Sequence, residues 1–324
     1  MNPSELKAVL RGVLPVQLVP FTPGGAVDLE GLRQNTKFLV EFARSDSSPE
    51  VVIMTNGSTS ECYALTEEQQ KTVIKTVVQA SDEVPVIAGV SQPGTELTVE
   101  LARYAEQAGA AGVMVVPPYY QYPTREGLYR HYEQIAKHIQ IGIILYNNPV
   151  VSGCWMPPEL VKQIAQLPQV IAIKENTSSI TQYYDMVRAF APEELNLICG
   201  LGEKEYVAEA AYRCEGFVSV IANFAPQWSY QVYAAGRDGN FVEANELLSK
   251  FEPYYAVLDK VHRSHSYATI MPDTRQENYA YQAVAKGAMD LVGLRGGSVK
   301  LPMLDLSAGE KQELGAALRE IGLT

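Results

Sequence analysis

Short apolar runs alternate with longer amphipathic ones along most of the chain. The runs Val13–Val19, Val51–Thr55, Val86–Val90, Val113–Val116, Gly142–Tyr146, Val170–Lys174, Asn196–Gly200 and Gly216–Val220 are mostly rich in Val and Ile. Several lack polar alternation, which predicts strands buried on both faces. Between them, helical spacing of apolar residues predicts helices over Leu29–Phe42, Glu67–Ala80, Glu96–Gln107, Arg125–Lys137, Pro158–Gln166, Ile180–Phe190 and Glu203–Arg213. Thr66, Thr95 and Thr124 each precede a predicted helix and offer a side-chain oxygen to first-turn amides. Gly109 follows the third predicted helix, where a left-handed cap suits glycine.

Eight strands alternating with helices predict an α/β fold closed as a (β/α)8 TIM barrel. The rival is a doubly wound open sheet. It needs a glycine-rich turn after the first strand, and Pro20-Phe21-Thr22-Pro23-Gly24-Gly25 lacks the GxGxxG spacing. The rhythm breaks afterwards: Phe241–His262, Glu277–Val292 and Ser307–Ile321 read as successive helices without strands between them. The predicted organisation is therefore a barrel over residues 1–236 with a helical extension over 237–324 packed against it.

The chain has 324 residues, ample for a core without disulfide or metal staples. Lys and Arg number 26 against 37 Asp and Glu, a net charge of −11. That sign argues against nucleic-acid or anionic-membrane partners. Four scattered cysteines fit reduced thiols better than a disulfide framework. The start, MNPSELKAVLRG, shows no charged segment leading into an apolar run, and no stretch reaches the roughly 18 apolar residues of a membrane span. A soluble, cytoplasmic protein is expected.

In a barrel, chemistry sits where strands end and loops begin. Lys174 follows Val170-Ile171-Ala172-Ile173, so its stem is expected to rise from an apolar interior. Desolvation there favours the neutral amine, which attacks a ketone. The bland alternative is an ion pair with Glu175 or another acid. Tyr146 ends the neighbouring strand, and its phenol suits proton relay to a carbinolamine when bonded to another hydroxyl such as Ser58 or Thr59. Alternatively it packs as an amphipathic rim residue. Gly57-Ser58-Thr59 reads as a tight turn exposing backbone amides to an anion, although such turns are common. Tyr119-Tyr120 reads first as a packed surface or subunit contact. Gly200-x-Gly202 reads as the turn that starts the helix at Glu203 rather than a phosphate cradle. No metal-ligand set is evident: His262 and His265 lack a third ligand and read as solvated.

Together the motifs GSTSE (57–61), PPYYQYPTREG (117–127), YNNPVVSG (146–153) and IKENT (173–177) resemble the dihydrodipicolinate synthase/N-acetylneuraminate lyase family of pyruvate-dependent class I aldolases. The resemblance runs from about Gly12 to the C-terminus. It implies that Lys174 forms the Schiff base with a 2-oxo acid and that Tyr146 shuttles protons. It also implies that Ser58 and Thr59, beside Gly57, hold the carboxylate, and that Ser58 links Tyr146 to a second phenol, Tyr120, reaching into an adjacent subunit. Val220 and Glu203 are the further substrate-contact candidates. No metal or organic cofactor is implied. The partners implied are a 2-oxo acid, an aldehyde and further copies of the chain, as a dimer or tetramer.

Three positions depart from the family pattern. Val151 stands where dihydrodipicolinate synthases carry an arginine for the second substrate's carboxylate, and valine cannot replace a guanidinium. Gly202 stands where neuraminate lyases carry an aspartate. Ser60 replaces the usual glycine of the carboxylate loop. Val151 speaks against the lysine-biosynthesis reaction and Gly202 against sialic acid, while Ser152-Gly153 resembles the neuraminate lyases and related sugar-acid aldolases, so a sugar-acid or hydroxy-oxo-acid aldolase is expected. The alternatives are 4-hydroxy-tetrahydrodipicolinate (dihydrodipicolinate) synthase, a 2-keto-3-deoxy sugar-acid dehydratase and, outside enzymes, a small-acid-binding barrel.

Overall fold

The computed structural model describes residues 1–45, 49–265 and 280–324. Its eight strands are β1 (Gly12–Pro15), β2 (Ile53–Thr55), β3 (Val86–Gly89), β4 (Gly112–Val115), β5 (Gly142–Asn147), β6 (Val170–Glu175), β7 (Asn196–Cys199) and β8 (Gly216–Ser219). All seven ladders are parallel, in the order β1-β8-β7-β6-β5-β4-β3-β2. Parallel bridges Val13–Val51 and Val16–Met54 join β1 to the β2 region and close the cylinder. Every strand residue is buried. That is why the strands read as continuous apolar runs. Pro15, which has no N–H for a ladder, ends β1 four residues before the predicted Val19.

The helices are α1 (Pro3–Val9), α2 (Leu29–Ala43), α3 (Glu67–Ala80), α4 (Thr95–Ala108), α5 (Arg125–His138), α6 (Pro149–Ser152), α7 (Pro158–Ile164), α8 (Ile180–Ala189), α9 (Glu203–Glu209), α10 (Pro226–Arg237), α11 (Phe241–Lys250), α12 (Glu252–Ser264), α13 (Tyr281–Leu291) and α14 (Ala308–Glu320). Thr66 and Thr124 cap α3 and α5 as expected, and Gly109 ends α4 at φ 96°. Thr95 does not cap: Gly94 occupies that position, and the Thr95 hydroxyl lies 3.0 Å from His131 Nδ1. The predicted helix Phe241–His262 is two, α11 and α12, parted at Phe251 with Pro253 in the first turn of α12. Positions 277–279 of the predicted helix Glu277–Val292 lie outside the described residues.

Apolar clusters lie both inside and outside the strands. The inner one stacks Leu14, Met54, Ile87, Met114, Ile144, Ala172 and Val218 within the barrel, below Tyr146. An outer cluster joins Val13, Phe217 and Tyr206 to Trp228, Tyr254, Val284 and Leu314, so the C-terminal helices share a continuous apolar core with the barrel. None of the described helices is long and apolar enough to cross a membrane.

Candidate active site

Lys174 and Tyr146 are register partners on adjacent strands, and both side chains are buried. Strand residues alternate in direction, so Ala172 and Lys174 face the interior while Glu175 faces outward. Lys174 is 5% exposed, and its Nζ lies 3.9 Å from the centroid of the Tyr146 ring. No carboxylate forms an ion pair with it among the described residues. Glu175, the suspected ion-pair partner, instead accepts from Asn147 Nδ2 at 2.8 Å and from the Thr177 N–H at 3.1 Å. The ion-pair alternative for Lys174 therefore fails for a geometric reason.

Tyr146 is aimed from a helix cap. Asn148 caps α6 by accepting the Val151 N–H at 3.1 Å through Oδ1, and its Nδ2 donates to Tyr146 Oη at 2.7 Å. The phenol is thus held by Asn148, not by the Ser58 or Thr59 hydroxyl expected from sequence.

The 57–61 loop is bracketed by two non-glycine residues in the left-handed region, Asn56 at φ 56° and Glu61 at φ 55°. Such backbone persists only where its surroundings over-determine it. Asn56 donates to the Gly89 carbonyl at 2.6 Å, and Ser60 Oγ donates to the Gln17 carbonyl at 2.6 Å. Ser60 Oγ also accepts the Gly57 N–H at 3.3 Å. Gly57 therefore offers the site no free amide. Its lack of a side chain is what matters, since a Cβ there would lie 3.2 Å from Val16. The Ser58 and Thr59 N–H groups have no acceptor among the described residues. They are the pair of donors available to a carboxylate.

Ser58, Thr59, Tyr146, Lys174, Val220 and Glu203 line one cavity of about 280 Å³. A second cavity of about 640 Å³ shares Ser58 and Tyr146 with it and adds Gly57 and Tyr119. Val151 borders both. Glu203 is not free to bind substrate through its Oε1, which accepts from the hydroxyls of Ser219 at 2.6 Å and Ser229 at 2.7 Å. Burial pushes its carboxyl up, against the pull of those two bonds. Gly202 starts α9 at φ 90°, as its place before Glu203 predicts. Tyr120 does not join the site within one chain: its side chain is 79% exposed and lines neither cavity.

Sequence reasoning missed the contribution of the C-terminal helices. Tyr254, Tyr255, Leu258 and His262 of α12 and Tyr281 of α13 form one wall of the smaller cavity. His262 and His265 are consequently not a solvated face, and His265 lies 3.4 Å from Glu310. Tyr281 Oη lies 3.4 Å from Thr59 Oγ1. Lys286 was also missed, and its signal was visible: a cation inside the small apolar run Ala283-Val284-Ala285-Lys286-Gly287-Ala288.

A buried lysine beside a phenol, at the mouth of a parallel barrel and next to unbonded amides, defines a lysine-imine (class I) aldolase or lyase. The chain belongs to the Dihydrodipicolinate synthetase family, whose model matches residues 9–321. Among its relatives, 4-hydroxy-tetrahydrodipicolinate synthase of Archaeoglobus fulgidus is 30% identical over 97% of this chain and 99% of its own length. The enzyme of that name from Methanothrix thermoacetophila is 34% identical over 76% of this chain and 80% of its own. The crystal structure of dihydrodipicolinate synthase from Thermotoga maritima matches with a TM-score of 0.81 at 28% identity, covering 98% of this chain and all (100%) of that one.

Proposed function

We propose that Lys174 condenses with pyruvate or a related 2-oxo acid and that the resulting enamine is joined to, or released from, an aldehyde. The arrangement of Lys174 against Tyr146, buried and without a carboxylate partner among the described residues, carries this reading. The Nζ lone pair attacks the ketone carbon, the carbinolamine loses water, and a protonated imine remains. That imine is an electron sink, so a proton leaves the adjacent methyl carbon and an enamine forms. The enamine carbon then bonds to the aldehyde carbon while the aldehyde oxygen takes up a proton. Hydrolysis of the new imine returns the amine, and cleavage is the same sequence reversed. Tyr146 Oη, which accepts a hydrogen bond from Asn148, would carry protons at the carbinolamine. The Ser58 and Thr59 amides would receive the 2-oxo acid carboxylate. The imine supplies the electron sink, so the scheme calls for no metal or organic cofactor.

The named relatives put forward 4-hydroxy-tetrahydrodipicolinate synthesis as the particular reaction. Val151 favours a different aldehyde, of the sugar-acid or hydroxy-oxo-acid type, because no guanidinium stands at that position. Asn148, Asn176 and Tyr281, which line the same cavity, are polar but uncharged. We further propose a cytoplasmic homo-oligomer, dimer or tetramer, in which Tyr120 completes the site of a neighbouring subunit. The exposed aromatic cluster of Tyr63, Tyr119, Tyr120 and Tyr122 supports that surface contact, and four free thiols fit a reducing compartment.

Reduction with sodium borohydride in the presence of pyruvate tests the reading. Peptide mass mapping is expected to find the reduced adduct on Lys174, and an unmodified Lys174 would overturn the proposal. A panel of aldehydes offered with pyruvate, aspartate semialdehyde among them, then identifies the partner.

A further inference from the structure

The loop that presents the Ser58 and Thr59 amides is gripped from the other end of the sequence. Glu61 and Lys286 form an ion pair with side chains 0% and 1% exposed. The second carboxylate oxygen of Glu61 accepts the Lys300 N–H at 2.7 Å. Lys286 Nζ also donates to the Ser298 carbonyl at 2.8 Å and sits 4.2 Å from the centroid of the Phe21 ring. One helical turn earlier on α13, Gln282 Nε2 donates to the Ser58 carbonyl at 3.4 Å, which also accepts the Glu61 N–H at 3.0 Å.

Stability alone does not account for such a pair. Two charges taken out of water cost several kcal/mol each, and a well-packed apolar pair often serves as well or better. What the pair adds is geometry. Each charge has more than one partner, and together these partners fix where Glu61 sits in its left-handed conformation. We propose that Glu61 and Lys286 are positioning residues, and that through them the C-terminal extension holds the Ser58 and Thr59 amides where the 2-oxo acid carboxylate binds. This rests on the imine-forming reading given above.

The test measures the pyruvate concentration that gives half-maximal borohydride labelling of Lys174, in the wild type, Glu61→Gln, Lys286→Met and the double variant. The double variant removes both charges and keeps the space filled, so it is expected to melt nearer to the wild type than either single variant does. It is still expected to need at least about tenfold more pyruvate, within the ~10²-fold that a misplacement of about 1 Å costs. Labelling at saturating pyruvate should be retained. A folded double variant labelled at wild-type pyruvate concentrations would show that the pair serves stability only and would overturn the proposal. If single variants fail to fold, the double variant carries the decision. Absence of labelling in the wild type would instead sink the imine-forming reading itself.

Discussion

Asn147 and Glu175 face each other across β5 and β6 one register step beyond Tyr146 and Lys174, and Asn147 Nδ2 donates to Glu175 at 2.8 Å. The two pairs point in opposite directions because successive strand residues alternate. The inner pair is the one proposed to react, and the outer pair stitches the strands that carry it. Asn147 extends the stitch by accepting the Met156 N–H at 2.8 Å and donating to the Met156 carbonyl at 3.0 Å. This ties the loop after α6 to the same strand end.

The stitch carries a pH signature. Burial pushes the Glu175 carboxyl up to about 7 from its ordinary 4.5, against the pull of the bonds from Asn147 and the Thr177 amide. A carboxyl raised in the folded state stabilises the fold while protonated. That contribution is complete below about pH 4.5 and is lost as pH rises through about 7, a loss of roughly 3 kcal/mol in all. Glu175→Gln cannot ionise. Its melting temperature relative to the wild type is therefore expected to improve from pH 5 to about pH 7 and to level off above that. A difference that stays constant across that range would exclude Glu175 as the titrating group.

Tyr146→Phe removes the hydroxyl and leaves the ring against Lys174. The expected result is a kcat lower by about 10² to 10⁴, as for a lost proton-transfer group, with a melting temperature lowered modestly because Asn148 Nδ2 loses its acceptor. Borohydride labelling of Lys174 should still occur, only more slowly. Asn148→Ala, which frees the phenol and uncaps α6, is expected to show a smaller loss of kcat together with a lower melting temperature. Single-turnover rates across the two variants separate loss of the group from loss of its aim.

Much of this architecture was legible because a strand buried on both faces leaves an apolar run that no neighbour needs to complete. Helix α10 was not. Its sequence PQWSYQVYAAGR buries Trp228, Ser229, Val232, Tyr233, Ala235 and Gly236, leaving little polar stripe to reveal a helical period. Its Gly236 breaks helix propensity for a tertiary reason, since a Cβ there would lie 2.7 Å from the Tyr206 ring. Helix α1 is only seven residues long and is signalled by a capping box from Asn2 to Glu5 rather than by periodicity. In the site, Lys174 and Tyr146 were readable from the strand ends they occupy. The Glu61–Lys286 pair spans 225 residues of sequence, and only the folded chain brings it together.

Ser60, where the resemblance implies a glycine, has a visible consequence. Its hydroxyl binds the Gln17 carbonyl after β1 and the Gly57 amide within the loop. Ser60→Gly removes both bonds and loosens the backbone, so a loss of about 1–3 kcal/mol is expected. Thermal or urea unfolding measures it. If the loop's shape matters as argued, the pyruvate KM rises in the same variant; a destabilised protein with an unchanged KM would confine Ser60 to a stability role.

Val151 provides the sharpest test of substrate choice. It follows from the α6 cap that residue 151 borders both cavities, next to the Tyr146 strand end. Its side chain is apolar and partly buried against the barrel's inner core. Val151→Arg places a guanidinium at the cavity edge, where it can take a carboxylate in two parallel hydrogen bonds. The expected outcome is a switch in preference: kcat/KM for aldehydes bearing a carboxylate, such as aspartate semialdehyde, rises by about tenfold or more, while kcat/KM for uncharged hydroxyaldehydes falls. A bidentate charged hydrogen bond of about 1.5–3 kcal/mol sets that scale. The competing cost is desolvation of the new charge, which a lower melting temperature would report. If the wild type already prefers aspartate semialdehyde and the arginine variant gains nothing, residue 151 does not select the aldehyde and the argument from it fails.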